Sequence, residues 1–508
     1  MKRDGACNSL WQDTTPEYYS KMKALPTQLF DVIIAGGGIT GITTGLLLQR
    51  SGLSVMIAEA QSIGFGTTGG TTAHLNTFVD ASYDVVQQKF GKKNGQLLAR
   101  ALKQALQLIK RNVQEYEINC GYKELPGYLF SQDSDQSKKL RDIMTATQEC
   151  NVNASWIEEI PVPINFENAL LFPGQATFHP TRYLSSLAKE FEKAGGVLLD
   201  SCRITLVEEG LPHSLKSSRG NFRCSHFIYA THIPPGVNLL HFRCAPYRSY
   251  VMAAQLGKTY NYPEALIYDM YDPYHYYRSQ EIDGEKYFIV GGEDHKTGHE
   301  ENTERCFRKL EAHIKKYFGV TSIANRWSSQ YFEPADGLPY IGNLPGHPAN
   351  MYVATGYGGN GMVYSAVAAL TLTDMIRGIN NENIELFDPN RIKMVAGFSN
   401  FVKESADVIG KLAKKILPAE KLAELADLAY GEARVVHYEG SRLAIYKNEN
   451  GQVFALNSAC THIRCEVAWN SAEKTWDCPC HGSRFSYKGE MLTAPARKDL
   501  ETVLIGIN

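Results

Sequence analysis

The stretch Phe30-Asp-Val-Ile-Ile-Ala-Gly-Gly-Gly-Ile-Thr-Gly41 decides the fold of the larger part of this 508-residue chain. Its first half is a short apolar run, typical of a buried strand in a parallel sheet. Its second half has the spacing G-x-G-x-x-G, and a helix-like run follows over residues 42–51. Residues 54–58 are again apolar and lead into Glu59. This order predicts a β-α-β unit with a glycine-rich first turn and an acid about 20 residues further on.

Each part of this unit has a physical role in binding a dinucleotide. Gly36 allows the tight turn, Gly38 lets a pyrophosphate approach the backbone, and Gly41 lets the helix and strand pack closely. The helix N-terminus presents free N–H groups to phosphate. Glu59 can accept hydrogen bonds from the ribose hydroxyls. We therefore predict that Gly36, Gly38, Gly41 and Glu59 bind a dinucleotide cofactor.

A second motif lies near the C-terminus, where Cys460-Thr-His462 is followed after fifteen residues by Cys478-Pro-Cys-His481. A Rieske [2Fe–2S] cluster has two thiolates on one iron and two imidazoles on the other. The pattern predicts such a cluster, with Cys460, His462, Cys478 and His481 as metal ligands. Structural zinc is an alternative, but zinc sites usually pair Cys with Cys and His with His. A disulfide framework would leave the paired histidines unexplained.

Composition limits the class of protein. The length suits two or three domains. The formal net charge of −2 gives no sign of a nucleic-acid partner. No apolar run is long enough for a transmembrane helix, and residues 1–29 lack the apolar core of a secretory signal. Of eleven cysteines, seven lie outside residues 460–480, scattered as in a reduced protein. We expect a cytoplasmic protein without membrane association.

The stretch Ser62-Ile-Gly-Phe-Gly-Thr-Thr-Gly-Gly-Thr-Thr-Ala-His74 favours FAD over NAD. It resembles the loop beside the flavin in the D-amino-acid oxidase superfamily of FAD enzymes. Four further stretches resemble that superfamily in the expected order: His179-Pro-Thr-Arg-Tyr-Leu, Phe227-Ile-Tyr-Ala-Thr231, Asp336-Gly-Leu-Pro-Tyr-Ile-Gly342 and Ala354-Thr-Gly-Tyr-Gly-Gly-Asn-Gly-Met362. The resemblance covers roughly residues 30–378. It implies further FAD contacts from Thr67, Thr68, His74, Thr231, Gly356, Gly358, Gly361 and Met362.

Two features of this FAD region have alternative interpretations. The spacing from Gly356 to Gly361 matches a second dinucleotide fingerprint, but no strand ending in an acid follows it. The resemblance implies instead that this helix N-terminus points at the flavin and stabilises negative charge there. His74 lies where some relatives link FAD covalently through a histidine. We favour an unlinked histidine that is solvated or satisfied in the core.

The C-terminal motif resembles the cluster loops of Rieske proteins, especially those of the cytochrome bc complexes. The resembling stretches are Cys460-Thr-His-Ile-Arg-Cys465 and Cys478-Pro-Cys-His-Gly-Ser483. The resemblance implies a disulfide between Cys465 and Cys480, which would pin the two loops together. It also implies that Ser483 donates a hydrogen bond to a sulfur of the cluster site.

Two positions depart from this Rieske pattern. Phe485 stands where the family has a tyrosine that donates a second hydrogen bond, and Arg464 stands where glycine is frequent. A lost sulfur hydrogen bond lowers the reduction potential, whereas a cation raises it. Because salt screens an exposed arginine, we expect a potential below the range of the bc complexes.

The superfamily places its substrate subdomain, an antiparallel sheet over the flavin, at about residues 232–330. Strand-like runs occur here at 247–256, 265–271, 275–282 and 286–291. Tyr277 and Arg278, together with Tyr357, are candidate catalytic residues, and ordinary strand packing is the alternative for the first two. Residues 293–298 favour a charged surface turn over a segment facing the flavin.

Amino-acid oxidases of the family often place an arginine shortly before D-G-x-P-x-I-G, where it holds the substrate carboxylate. Here that position is occupied by Gln330-Tyr-Phe-Glu333, and the nearest arginine is Arg326. Either Arg278 replaces this clamp, or the substrate has no carboxylate.

The predicted fold is therefore an α/β FAD-binding domain of the Rossmann-like, glutathione-reductase type, with an antiparallel substrate sheet and a small all-β Rieske domain. Expected boundaries are an N-terminal extension (1–29), the FAD domain (30–390), a helical linker (391–428) and the Rieske domain (429–508). Residues 396–426 have an apolar helical face beside lysines, which favours packing on the protein over binding to a membrane.

The whole chain resembles bacterial fusions of a D-amino-acid-oxidase-type domain with a Rieske domain. This implies an oxidoreductase that takes electrons from an amine, amino acid or similar small molecule. The electrons would pass between FAD and the cluster, and an external acceptor or donor protein would complete the path. A non-catalytic redox relay or sensor is the alternative. A Rieske oxygenase would need a mononuclear iron domain, for which residues 482–508 leave no room.

Overall fold

A computed structural model of the chain describes residues 3–22, 25–391, 420–421, 428–438 and 441–503. No helix within these ranges has the length and apolar character needed to cross a bilayer. The helices are α1 (Leu10–Asp13), α2 (Ile39–Arg50), α3 (Thr67–Gly70), α4 (Tyr83–Phe90), α5 (Lys92–Glu115), α6 (Ser134–Glu149), α7 (Pro180–Lys193), α8 (Thr303–Tyr317), α9 (Gly361–Ile376) and α10 (Asn383–Leu386), with a 3₁₀ turn at Leu239–Phe242.

The strands form four sheets. In chain order they are β1 (Leu29–Ala35), β2 (Val55–Ala58), β3 (His74–Leu75), β4 (Lys123–Ser131), β5 (Ser155–Ile157), β6 (Asn168–Thr177), β7 (Val197–Leu199), β8 (Ile204–Glu208), β9 (His213–Ser217), β10 (Gly220–Tyr229), β11 (Cys244–Leu256), β12 (Leu266–Tyr268), β13 (Tyr276–Ile282), β14 (Glu285–Lys296), β15 (Val320–Pro334), β16 (Tyr340–Asn343), β17 (Met351–Thr355), β18 (Glu420–Lys421), β19 (Ala433–Tyr438), β20 (Ser441–Lys447), β21 (Val453–Asn457), β22 (Ala468–Asn470), β23 (Thr475–Asp477), β24 (Arg484–Ser486) and β25 (Met491–Thr493).

The first sheet has the order β16-β17-β10-β1-β2-β7, with β9 and β8 added beside β10. β1 lies between β10 and β2 and is parallel to both, with Val32 opposite His226 on one side and Val55 on the other. Val32, Ile33 and Ile34 are fully buried, because helices or loops cover both faces of a parallel sheet. This arrangement confirms the predicted α/β cofactor-binding fold.

The second sheet has the order β15-β11-β14-β13-β12-β4-β6-β3, with β5 beside β6. Residues of the first and second sheets together line one cavity. The strands predicted within 232–330 are present as β11–β14. The predicted boundary was nevertheless incomplete, because β3, β4 and β6 belong to the same sheet. β4 joins this sheet through parallel pairing with β12, with Leu266 opposite Gly127. Because the two strands are far apart in the sequence, no local sequence pattern predicts that they pair.

The C-terminal part contains two four-stranded sheets, β18-β19-β20-β21 and β22-β23-β24-β25. Trp476 and Phe485 are completely buried between them, in a core shared with Cys460 and Cys478. This confirms a small all-β domain. The predicted helix over 396–426 lies outside the described residues except at Glu420 and Lys421, where the structure has the strand β18 and the prediction was wrong.

Six buried charges join the N-terminal segment, the substrate sheet and the C-terminal domain. Arg484 contacts Asp4 at 2.5 Å and Asp477 at 3.2 Å, and Arg248 contacts Asp477 at 3.3 Å. Arg3 contacts Asp4 at 3.0 Å and Glu473 at 3.3 Å. The network holds three positive and three negative groups. The predicted N-terminal extension is thus a packed part of the domain interface.

The balance of charge in this network is visible at Asp4. Burial by itself would raise the pKa of this carboxyl, but the neighbouring Arg484 and Arg3 outweigh burial and lower the pKa to about 2. Asp4 therefore stays ionised inside the protein, and the six groups hold the C-terminal domain against the substrate sheet.

Candidate functional site

The glycine-rich turn has the geometry that a phosphate-binding loop requires. Gly36 has a φ of +113°, and a Cβ there would lie 2.3 Å from the carbonyl oxygen of Ala230. A Cβ on Gly41 would lie 1.9 Å from the carbonyl oxygen of Gly36. Gly38 is the N-cap of α2 and would meet only the Thr68 hydroxyl, at 3.1 Å. Gly36 and Gly38 line a cavity, whereas Gly41 allows the helix to approach the turn.

Glu59 follows β2 and lines the same cavity. Its carboxylate accepts hydrogen bonds from the backbone N–H groups of Gly37, at 2.7 Å, and Gln61, at 2.8 Å. Burial raises the pKa of Glu59, and these two hydrogen bonds partly offset the effect. The carboxylate is therefore held in one orientation beside the turn, as an acceptor for ribose hydroxyls should be.

The cavity runs from this turn to the substrate sheet. Gly356 does not line it, and a Cβ on Gly356 would lie 3.1 Å from the sulfur of Cys244 and 3.3 Å from the ring of Tyr340. Apart from Gly41 and Gly356, all residues predicted to contact the cofactor line the cavity, as does Tyr357: Gly36, Gly38, Glu59, Thr67, Thr68, His74, Thr231, Gly358, Gly361 and Met362. The open cradle around Gly38 and the fixed carboxylate of Glu59 fit FAD.

The far end of the cavity includes residues that were not foreseen from the sequence, Asp80 and Tyr268 among them. It is lined by Tyr268, Tyr274, Tyr276, Tyr331, Asp80 and Asp294. Asp294 lies near the end of β14, in a segment predicted to be a surface turn, and that prediction was wrong. Burial raises the pKa of its carboxyl to about 7, although hydrogen bonds from Ser249 and Tyr331 partly offset this. A register shift between β11 and β14, where Tyr250 pairs with Gly292 but Arg248 with His295, breaks the alternation of side chains here, so the sequence held no local signal for Asp294.

Neither Tyr277 nor Arg278, both predicted as catalytic candidates, lines the cavity. The Tyr277 hydroxyl bonds to His313 at 2.7 Å, on the opposite side of β13. Arg278 is fully buried, and its guanidinium donates to the backbone carbonyls of Thr72 at 2.9 Å and Ala73 at 2.8 Å. It therefore supports the loop before His74 and cannot hold a substrate carboxylate.

His74 is only 9 % exposed. Its Nδ1 shares a hydrogen bond with the hydroxyl of Tyr268. Burial lowers its pKa well below the usual value, so the imidazole is neutral. Nε2 has no hydrogen-bond partner among the described residues.

The four predicted cluster ligands come together at the tips of two loops. The rings of His462 and His481 are perpendicular, with centroids 5.0 Å apart. Both ring nitrogens of His462 and Nδ1 of His481 are buried without a partner in the described part of the chain. Hydrogen bonds from Cys478 and Ser483 lower the pKa of the Cys460 thiol. Buried nitrogens without partners beside buried thiols fit a metal cluster, because unpaired polar atoms are costly.

The neighbouring residues agree with the implied loop architecture. Cys465 and Cys480 form a disulfide with a Cα–Cα distance of 6.6 Å. Their sulfurs lie within 4.8 Å of that of Cys478, but the disulfide removes both as metal ligands and leaves Cys478 as the free thiol of these three. Arg464 has a φ of +67°, the left-handed conformation that favours glycine, which explains why glycine is frequent here.

The cluster loops lie directly against the wall of the FAD cavity. Gln330 lines the cavity, and its Nε2 donates to the carbonyl of Gly482, next to His481, at 2.9 Å. Phe332 also lines the cavity, and a Cβ on Gly482 would lie 3.2 Å from its ring. Residues 491–494, 496 and 497 of the C-terminal domain close the cavity elsewhere. The two candidate cofactor sites therefore share one wall.

Comparisons with known proteins agree with this two-part site. Residues 31–375 match the family model of FAD dependent oxidoreductases, and residues 419–503 match that of the Rieske [2Fe-2S] domain. The Bacillus subtilis (strain 168) protein YhfW, named as a Rieske 2Fe-2S iron-sulfur protein, is 33 % identical over 93 % of both chains. Gamma-glutamylputrescine oxidoreductase of Escherichia coli (strain K12) is 23 % identical, over 68 % of this chain and 84 % of its own length.

Solved structures support the fold. Glycine oxidase from Geobacillus kaustophilus superposes with a TM-score of 0.60 at 17 % identity, over 72 % of this chain and 100 % of its own. The glycine turn, the continuous cavity and the paired cluster loops, with the matching family models, lead to one conclusion. This chain belongs to the FAD-dependent oxidoreductase family and carries a C-terminal Rieske domain, with FAD and a [2Fe–2S] cluster as its cofactors.

Proposed function

We propose that this enzyme oxidises an amine, an amino acid or a similar small molecule and passes the electrons from FAD through the Rieske cluster to an external acceptor protein. We further propose Cys460, His462, Cys478 and His481 as the cluster ligands and a cytoplasmic location. One observation carries the proposal. Gln330 lines the FAD cavity and bonds to Gly482 of the cluster loop, so the path between the two sites is short and lies within one chain.

The proposed reaction uses two cofactors that accept different numbers of electrons. When bound, FAD supplies a two-electron acceptor for the hydride of a C–H bond next to nitrogen, and the cluster supplies a one-electron carrier. An amine that loses this hydride and its N–H proton becomes an imine. The external acceptor takes up the two electrons one at a time, and the two protons, one from the hydride and one from the N–H group, are released to the solvent. The name of the Escherichia coli relative, gamma-glutamylputrescine oxidoreductase, supports an amine as the substrate.

The residues of the chain position these reactants. The turn at Gly36 and Gly38 and the carboxylate of Glu59 would hold the dinucleotide part of FAD. The far end, with Asp294 and its tyrosines, leaves space for the substrate. Burial of this end excludes water from the reacting atoms.

An anaerobic substrate screen tests the proposal. Amines, amino acids and hydroxy acids are mixed with holoenzyme, and flavin absorbance is followed together with the EPR signal of the reduced Rieske cluster. We expect one class to bleach the flavin and then to produce the EPR signal. If no small molecule bleaches the flavin but a cluster reduced by a partner protein does, the chain is a redox relay and the proposal fails.

The tuning of the cluster gives a separate prediction. Phe485 is completely buried beside the cluster loops and offers no hydroxyl. Replacing it by tyrosine (F485Y) should restore a hydrogen bond to a cluster sulfur. A bond of about 1 to 1.5 kcal/mol raises a one-electron potential by about 43 to 65 mV. Redox titration monitored by EPR checks the shift.

The matched control is F454Y, in the same domain on β21, where no change of potential is expected. An F485Y protein with an intact cluster signal and an unchanged or lower potential would show that Phe485 does not set the potential.

A further inference from the structure

Two acidic side chains, Asp80 and Asp294, line the far end of the FAD cavity, and no lysine or arginine of the described ranges lines this end. Burial raises the pKa of both carboxyls, so a bound cation is what would favour their ionised forms. The cations lining the cavity in the described ranges are Arg203 and Arg497, and both belong to its other end. Arg203 lies near Glu59, and Arg497 donates to the carbonyl of Pro235. The charge of the nearby Arg278 acts on His74 and Tyr268. Arg278 itself does not line the cavity, and it donates to the carbonyls of Thr72 and Ala73. A substrate carboxylate at the far end would therefore face two acidic side chains.

The four tyrosines of this end have their hydroxyls occupied by protein groups. Tyr331 donates to Oδ2 of Asp294 at 2.9 Å, and Tyr276 pairs with Ser249 at 2.8 Å. Tyr268 pairs with His74, and Tyr274 bonds to Asp80. With the hydroxyls engaged, the tyrosines offer ring surface to a ligand, and aromatic ring surface attracts cations.

Two buried polar atoms at the same end lack partners. Oδ1 of Asp294 is buried with no hydrogen-bond partner among the residues that the structure describes. The same holds for Nε2 of His74, a residue only 9 % exposed. Asp80, by contrast, accepts a hydrogen bond from the backbone of Gly359 at 2.7 Å. A buried carboxylate oxygen without a protein donor is a place where a ligand or a water molecule can donate a hydrogen bond.

We propose that the substrate of this enzyme is a small amine without a carboxylate, bound as an ammonium ion by Asp294 and the rings of Tyr268, Tyr274, Tyr276 and Tyr331. Transfer of one ammonium proton to the Asp294 carboxylate then leaves the neutral amine, whose free electron pair allows loss of a hydride. The proposal rests on the proposed function and narrows its substrate class. Asp294 thereby determines specificity. It selects amines and rejects amino acids, because an amino acid would bring its carboxylate against an acidic side chain.

Equilibrium binding to the oxidised holoenzyme tests this directly. The probes are tetramethylammonium and trimethylglycine, which differ by one carboxylate and cannot form an imine because nitrogen has no free electron pair. Isothermal titration calorimetry gives both affinities. We expect tetramethylammonium to bind and trimethylglycine to bind at least about tenfold more weakly, since its carboxylate faces Asp294 and Asp80.

The substitution Asp294→Asn removes the charge and keeps the shape. The substitution should weaken the binding of tetramethylammonium about 10- to 100-fold and reduce the difference in affinity between the two probes, while the FAD content stays unchanged. The control is Glu293→Gln on the same strand, whose carboxylate points to His275 and Lys309 outside the cavity. This variant should bind both probes with the affinities of the parent enzyme.

The proposal would be overturned if trimethylglycine bound more strongly than tetramethylammonium. It would also be overturned if Asp294→Asn left the ratio of the two affinities unchanged. Because these titrations involve no electron transfer, they can fail while reduced flavin still reduces the cluster. The converse outcome, amine binding without reduction of the cluster, would refute the proposed function and leave the binding site in place.

Discussion

Replacement of Gly41 by alanine is expected to leave the chain without FAD. The new methyl group would lie 1.9 Å from the carbonyl oxygen of Gly36, which is backbone and cannot move aside as a side chain would. Relief requires α2 to shift away from the turn, and this displaces the N–H groups that face the pyrophosphate. We expect at least about a hundredfold loss of FAD affinity, which is about 2.7 kcal/mol. Flavin absorbance per protein after gel filtration measures it.

The control for this substitution is Gly257→Ala. Its Cβ would have the carbonyl oxygen of Gly319 as its nearest neighbour, at 3.5 Å, which is an ordinary contact. This variant should retain its full FAD content. A Gly41→Ala protein that retains its full FAD content would show that the glycine turn does not hold the cofactor.

Replacement of Arg484 by methionine should cause the largest loss of stability. The side chain is fully buried and is the only described cation that contacts both Asp4 and Asp477. Without it, three carboxylates share two arginines in a buried interface. Removing one partner of a buried ion network costs about 3 to 5 kcal/mol. Chemical denaturation of the C-terminal domain, followed by the visible spectrum of the cluster, measures the change.

Arg326→Met is the matched control, because Arg326 pairs with Glu304 at the surface with 46 % of its side chain exposed. A surface pair contributes at most about 1 kcal/mol. The double variant with Asp4→Asn restores the charge balance and should recover part of the stability. Equal losses for Arg484→Met and Arg326→Met would contradict the role given to the network.

The parts of this molecule that the sequence predicts are those with local spacing. The turn from Gly36 to Gly41 and the loops from Cys460 to His481 carry their chemistry within a few residues each. Their spacing therefore predicted both the cofactor fold and the cluster fold.

The substrate end was missed because its members meet only in three dimensions. Asp80 comes from the loop before α4 and Asp294 from β14, more than two hundred residues later. Neither position is conspicuous in the sequence. Arg278 was a candidate for binding a substrate carboxylate. Its guanidinium is instead buried and donates to backbone carbonyls, so its role is structural. Similarly, Arg3 and Asp4 lay in a segment that was predicted to be a mere extension.

The central claim is that electrons from FAD reach the cluster of the same molecule. The most direct measurement is rapid mixing of anaerobic holoenzyme with a bleaching substrate, with freeze-quenched EPR of the cluster over a wide range of protein concentrations. Cys478→Ser, which lacks a proposed ligand, should bleach normally and give no EPR signal. We predict that the cluster is reduced after the flavin, at a rate independent of protein concentration. A cluster that stays oxidised, or a rate that rises with concentration, would contradict the account.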